Sequence, residues 1–294
     1  MTTRELRAAA ERLCLPAVAL APALVEPGLR LLADGAGAAV LLRRQWAADG
    51  TAEAVVLHRA GVPLEHPAVV ATAAAWGCDT ICHATTGRSF RIPPPDDAPL
   101  ADRFLQLAAR AATRVEIAVA LAGEDADEAA HVAAAGVLDE VGVPLLSEER
   151  GDVPLPDGSS WIVLGPIDGS GNFAAGLPPW AFSAALVRDG RPVAGLVADL
   201  SSGRRWVGAV GAGAWRDGVP VGPSPGGKVI VPSAPSGGSV SLPSAAARVR
   251  IPGCTAVELC LVADGSAAAW HDLDRSGSSV HDAGGPAVLL TALR

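Results

Sequence analysis

The sequence has no tyrosine, one methionine and one lysine, Lys228, and only 18% of its residues are charged. Arginine carries nearly all the positive charge, a skew we read as codon bias in a GC-rich genome rather than as function. No run of lysine or arginine occurs, and the formal net charge is −8. That balance argues against a nucleic-acid partner, because gripping a phosphate backbone needs a concentrated basic surface. Regular cysteine spacing is missing too. Cys14, Cys78, Cys82, Cys254 and Cys260 make an odd set. Cys78 and the Cys82-His83 pair suggest half a metal site, but no second ligand pair at zinc spacing follows. They read as buried free thiols in a reducing compartment.

Long apolar runs are also absent. Residues 13–25 are uncharged and follow Arg4, Arg7 and Arg12, but Glu5 and Glu11 interrupt the basic part and Pro16 and Pro22 break the run. No signal peptide is expected there. Residues 229–247 are uncharged but rich in Pro, Gly and Ser, which makes a loop and not a membrane span. The expectation is a soluble, cytoplasmic chain without a membrane partner.

What is plentiful is small and apolar. Half of the 294 residues are hydrophobic, mostly Ala, Val and Leu, enough for a sizeable core. The stretch RIPPPDDAP at residues 91–99 is the best linker, since consecutive prolines hold an extended connection. It predicts two domains, residues 1–95 and 96–294.

The first reads as a small α/β segment of unrecognised type. Residues 17–21, 38–42, 54–57 and 80–83 have strand length, and residues 23–32 and 66–76 have helical spacing. Asp79, His83 and Arg88 near its end are candidate site residues, although surface loop polarity accounts for them more simply. The second opens on a helix over residues 100–121 and another over 127–140, with Asp125, Asp127 and Glu128 at its start. Carboxylates suit a helix N-terminus, so capping is their bland role. Residues 143–146 read as a strand ending at Ser147-Glu148-Glu149. Residues 161–164 form a strand that runs into GPIDGSGNF. Residues 181–188 and 192–199 pair around Asp189-Gly190, a strong hairpin signal. Residues 204–210 and 214–216 continue the meander to a turn at Asp217-Gly218. After a Pro/Gly/Ser loop come residues 255–263 and 267–271. His281-Asp282 then opens an apolar run, residues 283–293.

In WIVLGPIDGSGNF, residues 161–173, a strand delivers Asp168 to a tight turn of Gly169, Ser170 and Gly171. Glycines let a ligand approach the backbone, and N–H groups at such a turn can cradle an anion. A carboxylate beside an anion cradle implies a cation between them. Glu148 and Glu149 offer further oxygen ligands, and a hard oxygen set suits Mg²⁺ better than zinc. A plain β-turn is the simpler reading of DGSG taken alone.

The order of the pieces resembles the inositol monophosphatase family. That family shows G-E-E, then W-x-x-D-P-I-D-G-T-x-N-F, then V-x-D-G-x-P-x-x-G, G-G-A-x-x-N-G and finally W-D. This chain offers Ser147-Glu148-Glu149, residues 161–173, VRDGRPVAGLVADLSSG at 187–203, GAGAWRDGVPV at 211–221, CTAVELCLVADGSAAAW at 254–270 and His281-Asp282. The resemblance covers residues 100–294. It implies an α/β layered sandwich, αβαβα, with an extra N-terminal α/β segment. It further implies Glu148, Asp168, Asp282 and the Ile167 carbonyl as metal ligands. By the same likeness Ser170 and Asp125 hold the attacking water, Glu148 shares in catalysis, and Gly169 and Ser170 offer N–H groups to the phosphate. The implied activity is Mg²⁺-assisted hydrolysis of a small sugar or cyclitol phosphate, with roughly one to three ions neutralising the phosphate and activating water.

Gly165 stands where the family has the metal-bridging aspartate of D-P-I-D. Asp152, Asp157 or Glu149 are the available substitutes. The hairpin between the first two helices is nearly absent, and residues 223–252 are shorter than usual. Two further readings follow: a degraded metal site that binds an anionic small molecule or serves another reaction in a specialised biosynthetic pathway, and a scaffold. Ala-rich surfaces are compatible with a homodimer. His271, His281, Trp161 and Trp180 read as packing residues, Asp272 and Asp274 as possible substrate contacts, Asp189 and Asp217 as turn residues.

Overall fold

Among the described residues of the N-terminal part, strand pairs are built from Val, Leu, Ile and Ala that bury one face against one helix. The computed structural model describes residues 29–33, 39–46, 52–60, 62–92, 99–150, 160–223, 229–232, 248–272 and 280–293. The chain divides into two compact units, Met1–Asp96 and Asp97–Arg294.

In the first unit the elements are β1 (Leu29–Ala33), β2 (Ala39–Trp46), β3 (Ala52–Ala60), α1 (Pro67–Ala75), β4 (Thr80–His83) and β5 (Ser89–Arg91), and the sheet order follows the chain. Neighbours are antiparallel except β3 and β4. A parallel pair needs a crossover, and α1 supplies it. Val40, Leu42, Val56, Val69, Ala73 and Ile81 form the core. The helix expected over residues 23–32 is corrected at its described end, where Leu29–Leu32 lie in β1 and pair with Val40–Arg43. A ladder to a neighbouring strand overrode a local spacing that also carries Pro27 and Gly28, both poor helix formers. Residues 13–25, including the strand expected at 17–21, lie outside the described residues.

The second unit is an α/β layered sandwich. Its elements run α2 (Leu100–Ala122), α3 (Ala126–Leu138), β6 (Leu145–Ser147), β7 (Ser160–Asp168), α4 (Ser170–Ala175), β8 (Ala181–Arg188), β9 (Arg191–Asp199), β10 (Arg205–Ala209), β11 (Gly213–Arg216), β12 (Val219–Pro220), β13 (Val229–Pro232), β14 (Arg248–Val249), α5 (Thr255–Ala263), β15 (Ala269–His271) and α6 (Val280–Ala292). Seven strands form the main sheet in the order β12-β11-β10-β9-β8-β7-β6. Only the β6–β7 pair is parallel. Asp189-Gly190 and Asp217-Gly218 turn their hairpins with positive φ at both central residues, as a two-residue turn matched to strand twist requires.

Alternate residues of β7 face opposite layers. Ile162 and Leu164 pack with Phe104, Leu107 and Val115 of α2, whereas Val163 packs with Val288 of α6. Because both sheet faces are covered, β7, β8 and β9 read as nearly unbroken apolar runs. Helix α6 sits unusually close to the sheet. A Cβ on Gly195 would come 2.7 Å from the Gly285 carbonyl, and one on Gly284 would come 2.5 Å from Val163 Cγ1. A smaller sheet, β14-β13-β15, is all parallel.

Candidate active site

The close approach of α6 decides where Asp282 sits. Pro286 lies inside α6 and has no N–H, so the carbonyl four residues earlier loses its helical donor. That carbonyl belongs to Asp282, and the Ser183 hydroxyl of β8 donates to it at 3.1 Å. Ser183 is fully buried and pairs directly across the sheet with Gly165. A Cβ on Gly165 would lie 3.3 Å from Asp282 Oδ1 and 3.2 Å from the His281 carbonyl. The bare glycine therefore makes the room that the first turn of α6 occupies.

Next on β7, the pairing with β8 slips between Gly165 and Asp168. One extra residue, in the Pro166-Ile167 segment, bulges from the ladder. Beyond it, Asp168 is buried and turned toward α5. Its Oδ2 accepts the Ala256 N–H at 2.5 Å and the Cys254 thiol at 3.2 Å. Cys254 is the residue before α5 and makes no cap of its own. Asp168 thus caps a helix distant in sequence, an ordinary carboxylate role at a helix N-terminus. Burial raises its carboxyl above the ordinary value, while hydrogen bonds from Ala256, Cys254 and its neighbour Gly169 oppose the rise. Burial and the Asp168 charge together push the Cys254 thiol far up, so it stays protonated.

Glu148 begins the one-turn 3-10 helix Glu148–Arg150 that follows β6. It is exposed, but partial desolvation raises its carboxyl, followed by the charges of Glu149, Asp168 and Asp127. Asp282 is raised as well. Burial first, then Asp168 and Glu148, push its carboxyl up to about 8. Its Oδ1 is buried without a hydrogen-bond partner. The structure therefore brings Glu148, Asp168 and Asp282 within electrostatic reach of one another. Among the described residues no three carboxylate, imidazole or thiol groups converge closely enough to form a ready metal cage.

The remaining sequence candidates fall as follows. Ile167 has its side chain in the core shared with α2 and α3. The tight turn expected at Gly169-Ser170-Gly171 is instead the start of α4, corrected because Gly169 adopts φ 82° and launches a helix whose Phe173 N–H donates back to the Gly169 carbonyl at 2.9 Å. Ser170 and Gly171 are exposed at its first turn. The Gly169 N–H lies against the Asp168 carboxylate. Asp125 is exposed at the residue preceding α3 and makes no capping hydrogen bond. Asp127, two residues further on, is the acid of that helix whose charge bears on both Glu148 and Glu149. Trp161 and Trp180 are partly buried, and Trp180 meets Phe173 edge-on at 5.5 Å. His281 is lowered by burial. Cys78 is buried, and the Cys82 thiol donates to Glu53 Oε1 at 3.7 Å. Asp152, Asp157 and Asp274 lie outside the described residues.

Several contributors carry no local signature. Asn172 Nδ2 donates to the carbonyls of Pro179 at 2.9 Å and Pro252 at 2.8 Å, tying the loop after α4 to the segment before α5. Glu258, nearly fully buried, accepts from the Gly253 N–H and from Trp270 Nε1, both at 2.9 Å. His131 hydrogen-bonds Ser147 and Arg150 on either side of Glu148.

The chain spans about half or less of the length of the curated relatives it matches. One is the fructose-1,6-bisphosphatase/inositol-1-monophosphatase of Thermococcus kodakarensis, 36% identical over 130 residues, which are 43% of this chain and 50% of that one. Another is the histidinol-phosphatase of Mycobacterium tuberculosis, 44% identical over 77 residues, 26% of this chain and 29% of its own. Among solved structures, the inositol monophosphatase of Anabaena shares the fold with a TM-score of 0.57 at 23% identity, covering 65% of this chain and 82% of that one. No described helix is long and apolar enough to cross a membrane. The model of the inositol monophosphatase family matches residues 123–293, which hold every carboxylate of the cluster described above, and the chain belongs to that family.

Proposed function

We propose that the chain hydrolyses a small sugar or cyclitol phosphate monoester with the help of Mg²⁺ held at the Glu148–Asp168–Asp282 cluster. The observation that carries this reading is the buried Oδ1 of Asp282, which has no hydrogen-bond partner and faces the charges of Asp168 and Glu148. Such a set is costly as it stands and fits one hard cation. Mg²⁺ needs no full protein cage, because it keeps several waters and takes one or two carboxylates plus substrate oxygens.

Asp282, Glu148 and the Ile167 carbonyl, which lies in the bulge, would hold the ion, with Asp168 contributing what its hydrogen bonds leave of its carboxylate. When bound, the ion would neutralise the phosphate and lower the pKa of a water. The first-turn N–H groups of α4, at Ser170 and Gly171, have no intrahelical acceptor and suit phosphate oxygens. The Ser170 hydroxyl orients the water. Asp168 keeps α4 and α5 together so that these groups face one place. Asp125 as the partner of Ser170 has less support than Asp127, the acid whose charge reaches Glu148.

Phosphate release from a panel of sugar and cyclitol phosphates with Mg²⁺ tests the reading. Activity that disappears in Asp282→Asn and Glu148→Gln is expected. No release on any substrate, with Asp282→Asn indistinguishable from wild type, sinks it. Gly165 favours a second reading, in which the site binds an anionic small molecule without hydrolysing it. Calorimetry separates the two: tight Mg²⁺ binding supports hydrolysis, and anion binding without Mg²⁺ supports the second.

A further inference from the structure

The turn that carries Glu148 lies at the edge of the main sheet, because among the described residues β6 pairs with β7 and no other strand. An edge turn of three exposed residues has little packing of its own to fix it. One buried imidazole spans it. His131 of α3 meets the Ser147 hydroxyl through Nδ1 at 2.8 Å, and its Nε2 receives the Arg150 Nε–H at 2.9 Å. Ser147 and Arg150 are the residues immediately before and at the end of the turn. His131 and Ser147 are both nearly fully buried.

The hydrogen bonds select one form of the ring. Arg150 Nε can only donate, so Nε2 must accept. The proton of the neutral ring then sits on Nδ1, and Nδ1–H donates to Ser147 Oγ. Arg150 reaches on to Glu128 Oε1 at 3.4 Å, three residues before His131 on α3. An imidazole whose Nε2 is occupied by a guanidinium and whose Nδ1 carries the proton has no base to offer Ser147. The arrangement is a clasp and not a nucleophile–base pair.

We propose that His131 is a positioning residue: by holding Ser147 and Arg150 at once, it closes the Glu148–Arg150 turn and aims Glu148 at the Asp168–Asp282 face. The clasp stands on the geometry alone, and its effect on metal binding rests on the function proposed above. Partners one step removed from a ligand typically change metal affinity about 10–100-fold when removed.

Two measurements on the full chain decide it. Amide hydrogen exchange of the metal-free protein reads the clasp directly. His131→Ala is expected to speed exchange at residues 147–150 by about tenfold, with β7 and β8 unchanged. His131→Asn, whose amide can replace Nδ1–H toward Ser147, is expected to recover part of the protection. Calorimetry with Mg²⁺ then reads the coupling: affinity falls about 10–100-fold in His131→Ala and less in His131→Asn. If His131→Ala does not fold, Ser147→Ala removes one hook and is expected to give the same two changes in milder form. Unchanged exchange at residues 147–150 in a folded variant overturns the clasp. Faster exchange with wild-type Mg²⁺ affinity overturns its role in aiming Glu148. Absence of Mg²⁺ binding by the wild type defeats the metal reading instead, and the exchange result still decides the clasp.

Discussion

Asp282 Oδ1 stands 3.3 Å from the point that a Cβ on Gly165 would take. The loss of a side chain on β7 and the seat of a carboxylate on α6 are one structural fact. Replacing the glycine with any larger residue must move the first turn of α6, which is held by Ser183, Gly284 and Gly285.

Gly165→Asp accordingly has two opposed effects. Without metal it crowds Asp282 and adds a like charge, and we expect a destabilisation of about 1–3 kcal/mol. With Mg²⁺ the added carboxylate strengthens binding, so the thermal midpoint rises more steeply with Mg²⁺ than in wild type. Gly165→Ala carries the crowding without the charge and gains no Mg²⁺ response. Thermal scans across a Mg²⁺ series check both variants.

Asp282 also sets a pH dependence. Its folded carboxyl is pushed up to about 8, far above the ordinary range of an unfolded aspartate. Between those values the folded chain binds the extra proton, so stability is highest at the acidic end of that window and falls as pH rises toward 8. Asp282→Asn removes this slope from the metal-free protein, as urea unfolding at pH 5, 6, 7 and 8 would show. Mg²⁺ binding near pH 7 should release a proton, measurable from the dependence of the binding heat on the buffer.

Asp168 combines a charge with a structural bond. Asp168→Asn keeps an oxygen for the Ala256 N–H and is expected to change stability little while weakening Mg²⁺ binding. Asp168→Ala leaves that buried N–H without an acceptor and should cost about 1–3 kcal/mol in addition. Chemical denaturation and calorimetry on the pair separate the two roles.

Ser183→Ala removes the donor that Pro286 makes necessary. The stranded Asp282 carbonyl should cost about 1–3 kcal/mol. Pro286→Ala, which restores the helical donor, should recover part of that loss in the double variant. A double-mutant cycle by urea unfolding reads the coupling.

Much of the fold is legible residue by residue. The spacing of Leu105, Ala108, Ala112 and Val115 predicts a helix over residues 100–121, and α2 runs Leu100–Ala122. The strand expected at 181–188 coincides with β8, Ala181–Arg188. These segments are long, strongly patterned and bounded by turn residues whose backbone preferences are intrinsic. Leu29–Leu32, expected in a helix, lie in a strand, because a short apolar run suits helix and strand equally and only its pairing with β2 chooses.

The sequence singles out Gly165, Asp168 and Asp282 because their motif is contiguous or ordered. It gives no sign of the contacts of His131, Cys254 and Ser183. Their decisive bonds reach partners 16, 86 and 99 residues away. Asp125 fits the spacing to Glu148, yet Asp127 is the acid whose charge reaches it, because a helix turns about 100° per residue and two residues change the face presented.

Local preferences are enough to place the helices, the Asp-Gly turns and the DGSGNF segment, since each depends on neighbours along the chain. The carboxylate cluster depends on more. Close glycine packing, a proline that frees one carbonyl and a serine that satisfies it bring Asp282 beside Gly165. Those contacts exist only once β7, β8 and α6 are packed, because the groups that make them are far apart along the chain and have no reason to meet before the sheet is covered.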